Sequence, residues 1–281
     1  MYKIGLTSGG AVVSDCEALF KMLRDSGIAA TEISVAPDRY ADLDYKRIAA
    51  ASKEYGVELW SFHLPFSPFS VLDISKKELV KDTVPYLEEL IRRAAAIGID
   101  KFVIHPSGEP IAPEERAERM KLSKESLSKL AETARRNGAV IAVEDLPRTC
   151  LGNCSDEIAE LISVDPDLYV CFDTNHLLGE APVDFIRKVG KKIITTHVSD
   201  YNFINEQHWL PGEGENDWQA IYQALQEVGY TGVWLYELGF GSTKKITRER
   251  ALTCEDFVRN AKEIFEGREI TVIPHQKPII S

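Results

Sequence analysis

The chain repeats one unit, a short apolar run followed by an amphipathic helical segment, eight times in 281 residues. That is about 35 residues per unit, the spacing of a closed parallel barrel. The runs YKIGLT, AATEIS, VELWSFHL, KFVIHP, AVIAVEDL, LYVCFDT, KIITTHVSD and GVWLYEL are nearly continuous in apolar residues, as parallel strands covered on both faces must be. Helical segments between them end at Gly27, Gly56, Gly98 and Gly138, and glycine accepts the left-handed C-terminal cap. Pro85 interrupts the segment from Lys76 to Gly98 and predicts a kink or split there. Pro113 predicts the first turn of the next helix, and Ser155 is placed to cap SDEIAELISV. An open doubly wound sheet shares the alternation, but with fewer strands and, for a dinucleotide binder, a GxGxxG turn after strand one. The sequence SGGAVVSD lacks that spacing. The prediction is therefore an α/β fold, a (β/α)8 TIM barrel, as one domain over residues 1–281, with an irregular tail over 267–281 that contains Pro274 and Pro278.

Composition narrows the function classes. The chain carries 33 Lys+Arg against 44 Asp+Glu, a formal charge of −11, which repels a phosphate backbone unless a local basic patch opposes it. The apolar runs are strand-length, far short of the ~20 residues of a membrane helix. MYKIGLTSGG enters a strand directly, without the basic and apolar regions of a signal peptide. Cys16, Cys150, Cys154, Cys171 and Cys254 show no zinc-ribbon or CxxC spacing and read as buried thiols of a cytoplasmic protein.

Ionisable residues recur where the apolar runs end. Glu32 closes strand two, His63 strand three and His105 strand four. Glu144 and Asp145 close strand five, Asp173 strand six with His176 just beyond, His197 strand seven, and Glu237 strand eight. Asp200 and His208 follow in the strand-seven loop, THVSDYNFINEQHWLPGEGENDW. In a barrel these ends share one rim, where barrel active sites are built. Any one of them alone is explained by a core hydrogen bond, a cap or a salt bridge. Taken jointly, carboxylates crowded at one rim need positive charge, and no Lys or Arg stands in those strand ends. Glu144, Asp173, His197 and Glu237 come from four consecutive strands. This oxygen-rich set suits one divalent ion, Mn²⁺ first, with Mg²⁺, Co²⁺ or Zn²⁺ as alternatives.

The segments VEDLP, CFDTNH, THVSDY, QHWLPGEGENDW and YELG resemble the xylose-isomerase-like barrel superfamily, over nearly the whole chain and in order. That superfamily includes sugar isomerases, ketose 3-epimerases and apurinic endonuclease family 2 enzymes. The resemblance to the epimerases implies Glu144, Asp173, His197 and Glu237 as metal ligands, the two glutamates as proton carriers, and His176 as a substrate contact. The resemblance to the endonucleases implies a three-zinc site from positions similar to His63, His105, Glu144, Asp173, His176, His197, His208 and Glu237. In that branch an Asp stands where this chain has Glu206.

Charge separates the branches. The rim loops LPFSPFSVLD, PSGEPIAP and SDYNFINEQHWLPGEGEND hold no Lys or Arg, LPRTC offers Arg148, and GFGSTKKITRER clusters Lys244, Lys245, Arg248 and Arg250. A duplex-binding face needs several phosphate contacts, so a small-molecule sugar is expected as substrate, with no nucleic-acid or membrane partner and with homo-oligomerisation left open. Arg148 or the Lys244–Arg250 segment is the candidate anchor for a phosphosugar. The expected chemistry is isomerisation or epimerisation of a ketose or keto-polyol through an enediolate, catalysed by Glu144 and Glu237. Glu32, His63, His105, His176, His208 and Arg148 are the expected substrate contacts, and Trp60, Phe62, Phe66 and Phe69 form a candidate apolar wall. A keto-polyol dehydratase or lyase and a zinc phosphodiesterase are the alternatives. His208 is expected at the rim beside His176, after a flexible stretch.

Overall fold

The computed structural model describes residues 1–66, 71–243 and 245–276. Eight parallel strands form one sheet in the order β7-β6-β5-β4-β3-β2-β1-β8. The strands are β1 (Lys3–Thr7), β2 (Ala30–Ile33), β3 (Glu58–His63), β4 (Lys101–Ile104), β5 (Val140–Glu144), β6 (Leu168–Asp173), β7 (Ile193–His197) and β8 (Val233–Tyr236). The ring closes between β7 and β8 through a parallel bridge, Val198 to Tyr236. Helices α1 (Ala11–Ser14) and α2 (Cys16–Ser26) follow β1, and α3 (Tyr45–Tyr55), α4 (Lys77–Ala95), α5 (Arg116–Arg136), α6 (Ser155–Ile162), α7 (Pro182–Val189), α8 (Trp218–Glu227) and α9 (Cys254–Phe265) follow the later strands in turn. This is the predicted TIM barrel. Among the described residues no helix is long and apolar enough to cross a membrane.

Two layers of apolar packing hold it. Ile4, Phe62, Phe102, Ile141, Phe172 and Trp234 face outward into a continuous core shared with the helices. Inside the barrel floor lie two small groups, Ala30, Val233 and Leu235 with Trp60, and Val103, Ala142 and Cys171 with Ile194. Gly5 is required there, because a Cβ would stand 2.5 Å from Val233 Cγ1.

Local expectations fared unevenly. Gly27 and Gly56 cap α2 and α3 in the left-handed conformation. Pro85 does not split its helix, for α4 runs through it. The proline sits on the exposed face, where water can satisfy the freed carbonyl, while Val84, Leu87, Leu90 and Ile91 anchor the other face. Pro113 lies in a turn ahead of α5. Ser155 is the first residue of α6, and its hydroxyl donates to Glu180 rather than capping. The tail from Gly267 is irregular but packed: a Cβ on Gly212 would stand 2.8 Å from Ile270 Cγ2 and 3.3 Å from Val272 Cγ1, and Gln276 N donates to Thr247 O. Pro278 falls outside the described residues.

Candidate metal centre and substrate pocket

Strand parity decides which strand-end side chains point inward. Inward-facing Val103, Ala142, Cys171 and Leu235 are each followed two residues later by His105, Glu144, Asp173 and Glu237, so these four continue the barrel interior upward. On β3 and β7 strict alternation from Trp60 and Ile194 would turn His63 and His197 outward. A register shift on each strand prevents this: Thr31 pairs with Leu59 but Glu32 with Ser61, and Val170 pairs with Ile193 but Cys171 with Thr195. The extra residues, Trp60 and Ile194, stay in the barrel floor, and the parity above them flips.

Glu144, Asp173, His197 and Glu237 each bring one ligand atom within 4.8 Å of all the others. His197 Nδ1 stands 3.1 Å from Glu144 Oε1, 3.3 Å from Glu237 Oε2 and 3.9 Å from Asp173 Oδ2. Asp173 Oδ1 accepts from Asn175 N at 2.7 Å, while its buried Oδ2 has no hydrogen-bond partner. An orphaned carboxylate oxygen aimed at an imidazole nitrogen and two further carboxylates is a donor set that fits a hard or borderline divalent ion. Glu144 uses its second oxygen on His63 Nε2 at 3.1 Å and His105 Nε2 at 3.2 Å.

The charges of this cluster are tightly linked. Burial pushes Glu144 up, but the imidazoles of His197 and His105 outweigh it and hold the carboxyl well below its usual range. Burial pushes Glu237 up to about 7, helped by the charges of Glu144 and Asp173 against the pull of His197. Burial opposes the protonated form of His197, yet Cys171 and then the carboxylates of Glu237, Glu32 and Glu144 hold the ring well above its usual value. His63 rises to about 9 because its bond to Glu144 outweighs its desolvation.

A cavity of about 110 Å³ opens beside the cluster, lined among others by Phe66, His105, Leu146, Arg148, His176 and Glu206. Phe66 stacks on His105 with centroids 3.8 Å apart. His176 Nδ1 donates to Asp145 O at 2.8 Å, and its Nε2 lies 3.4 Å from Glu206 Oε2.

Several expected contacts stand elsewhere. Glu32 is fully buried beneath His197 and does not line the cavity. His63 is buried behind Glu144. Of the candidate aromatic wall, Phe66 alone lines the cavity: Phe62 packs outward in the core, Trp60 fills the floor and donates to Thr195 Oγ1 at 3.0 Å, and Phe69 lies outside the described residues. Arg148 is tied to Glu109, Asn205 and Glu206. Arg248 is buried against Glu213, and Arg250 pairs with Asp256. Lys244 lies outside the described residues. Those arginines do not offer a free phosphate anchor. Glu206 is a site residue absent from the expected contacts, and its two-residue spacing from His208 is the sequence signal for its place there.

The strand-seven loop is braced, not flexible. The Asp200 carboxylate accepts from the backbone N–H of Tyr201, Gly212, Gly214 and Asn216 at 2.8–3.2 Å and from Trp218 Nε1 at 2.9 Å. Gly214 must lack a side chain, since a Cβ would stand within 2.4 Å of both Tyr201 O and Asp200 Oδ1. Asn175 Oδ1, from the strand-six turn, accepts from Gln207 N at 2.9 Å. His208 adopts φ 52° and its Nδ1 donates to Glu237 O at 3.1 Å. Its ring centre stands 6.3 Å from that of His176. His176, Glu206 and His208 form a second group with ligand atoms within 4.8 Å.

The comparisons agree with the barrel fold. A crystal structure of a D-tagatose 3-epimerase-like protein superposes with a TM-score of 0.77 at 24% identity, covering 94% of this chain and 97% of that one. An uncharacterised protein of Methanocaldococcus jannaschii is 28% identical over 188 residues, and the match spans 64% of each chain. An inosose dehydratase of Clostridium botulinum is 31% identical over 102 residues, 29% of this chain and 34% of the relative. Residues 16–255 match the family described as xylose isomerase-like TIM barrel, and the chain belongs to that family.

Proposed function

We propose that this chain is a divalent-metal-dependent sugar epimerase or isomerase that moves a proton next to the carbonyl of a ketose or related keto-polyol. The observation that carries the reading is the convergence of Glu144, Asp173, His197 and Glu237, from consecutive strand ends, on one point beside a cavity lined by His105 and His176. Likeness to a D-tagatose 3-epimerase-like protein supports the same class.

Glu144, Asp173, His197 and Glu237 would hold one ion. When bound, it supplies Lewis-acid polarisation of the carbonyl and offsets negative charge developing on the substrate oxygens, an effect worth several kcal/mol. Glu144 and Glu237 both approach His197 Nδ1, at 3.1 and 3.3 Å, so the two carboxylates flank one place. One takes the proton beside the carbonyl, and the other returns it from the opposite face for epimerisation. Each transfer contributes ~10²–10⁴-fold. His105 and His176 bind substrate oxygens. Phe66, stacked on His105, shields that side from water.

The test is to incubate Mn²⁺-loaded protein with D-tagatose, D-fructose and L-ribulose in D₂O. Deuterium entering the carbon beside the carbonyl, with a new epimer or isomer, is the expected result. Absence of exchange on every ketose tried would sink the reading. A dehydratase reading draws on the inosose dehydratase segment, and loss of water to a conjugated product would select it. A zinc phosphodiesterase reading draws on the His176–Glu206–His208 group. Against it stands the engagement of Arg148, Arg248 and Arg250 by carboxylates.

A further inference from the structure

Glu32 has no part in the chemistry above, yet it is among the most deeply placed charges in the molecule. It comes from β2, across the barrel from β7, and it is fully buried. One oxygen lies 3.1 Å and the other 3.2 Å from His197 Nε2, and Ser61 Oγ donates to it at 2.8 Å. No Lys or Arg contacts it among the described residues. A buried carboxylate so placed is costly unless its partners are fixed, and its principal partner is the far side of the single imidazole in the candidate ligand set. The register shift at Thr31/Glu32 is what brings Glu32 and Ser61 level with each other.

We propose that Glu32 is a positioning residue for the metal centre: it accepts the Nε2 proton of His197 and so turns the Nδ1 lone pair toward Glu144, Asp173 and Glu237. The inference rests on the metal-site reading and deepens it. An imidazole can ligate through either nitrogen, and the hydrogen bond made by the other nitrogen sets which one is free. With Nε2–H donated to Glu32, Nδ1 is the ligating atom, 3.1 Å from Glu144 Oε1 and 3.3 Å from Glu237 Oε2. The carboxylate also increases the basicity of the ring toward a cation. Ser61 holds the carboxylate in place, completing a chain from β3 through β2 to β7.

The experiment measures Mn²⁺ affinity by the free-ion electron paramagnetic resonance signal, for wild type, Glu32→Ala and Glu32→Gln. It adds long-range ¹H–¹⁵N spectra of the histidine rings in Zn²⁺-loaded protein. Partners of this kind contribute about 10–100-fold to metal affinity. Glu32→Ala should therefore weaken Mn²⁺ binding by about that factor. Glu32→Gln, whose amide oxygen still accepts the Nε2 proton, should lose less. The wild-type spectrum should show the His197 proton on Nε2. If Glu32→Ala does not fold, Glu32→Gln with the spectrum still decides. Equal Mn²⁺ affinity in wild type and the folded variants, or a His197 proton on Nδ1, overturns the role of Glu32 and leaves the metal centre standing. Failure of the wild type to bind Mn²⁺ overturns both.

Discussion

Glu144 and His197 meet at 3.1 Å, Oε1 to Nδ1, while the other oxygen of Glu144 is held at 3.1 Å by His63. Glu144 thus has a fixed orientation, and Glu237, with 22% of its side chain exposed, does not share that restraint. Glu144→Gln should lower turnover by ~10²–10⁴-fold and slow deuterium exchange on one face of the substrate. Glu237→Gln should do the same on the other face. Steady-state rates with each epimer, compared with wash-in from D₂O, check this. Equal exchange on both faces in either variant contradicts the two-base assignment.

Metal binding should release protons. His197 is held well above its usual value by surrounding acids despite its burial, and Glu237 is pushed up to about 7 by burial and neighbouring carboxylates. A ligand must be free of its proton, so both protons compete with the ion. Affinity for Mn²⁺ should rise as pH rises through 7 and be weak at pH 5. Calorimetric titration in two buffers of different ionisation heat should give roughly one to two protons released per ion near pH 7. Zero release would contradict the charge states described here.

Glu237 also makes a stability prediction for the metal-free protein. Its folded pKa, about 7, lies above the ordinary 4.5. Between these values the folded state binds more protons than the unfolded state, so stability falls as pH rises. Glu237→Gln removes that loss. At pH 8 the metal-free variant should be more stable than wild type by about 1–3 kcal/mol, and near pH 4 the difference should vanish. Urea denaturation at the two pH values measures it. A variant less stable at pH 8 would refute the repulsion.

Gly214→Ala should damage the strand-seven loop, because the new methyl would collide with Tyr201 O and the Asp200 carboxylate. Relief requires Asp200 to give up some of its donors. A destabilisation of about 1–3 kcal/mol is expected, with a lower Tm. Turnover should fall too, since the same loop carries Glu206 and His208. Unchanged Tm and turnover would show that the hub at Asp200 is dispensable.

An abasic-site duplex should be neither bound tightly at moderate salt nor incised, and purified protein given excess metal should retain one ion per chain. Fluorescence anisotropy, a gel assay and elemental analysis check these three points. Sub-micromolar binding with incision and three retained zincs would replace the sugar reading with the phosphodiesterase one.

The barrel itself was legible in the sequence because its signal is repeated: eight apolar runs leave little choice of fold. The rim positions were legible because polar residues at the ends of buried strands are conspicuous. What could not be read was orientation. His63 and His197 face inward only because Trp60 and Ile194 shift the register, and such shifts depend on pairing across strands, not on local pattern. Glu32 and His63 were therefore expected at the substrate, whereas both are buried behind candidate ligands. The stretch of the strand-seven loop ahead of His208 was expected to be flexible. Its order comes from one carboxylate, Asp200, gathering donors up to 18 positions ahead, a convergence that has no periodic signature.

The way the ring closes has a consequence of its own. Strands β7 and β8 are joined at the rim, where Val198 N donates to Leu235 O at 2.8 Å and Glu237 N donates to Val198 O at 3.2 Å. Glu144, Asp173 and His197 lie on one side of that seam and Glu237 on the other. A ligand that grips His197 and Glu237 together therefore acts as a rivet across it. Occupancy and closure become a single equilibrium, and ligand affinity adds directly to the free energy of opening. Amide hydrogens at Val198 and Glu237 would then report occupancy through slowed exchange, while those of strands remote from the seam, such as β3 and β4, would change little.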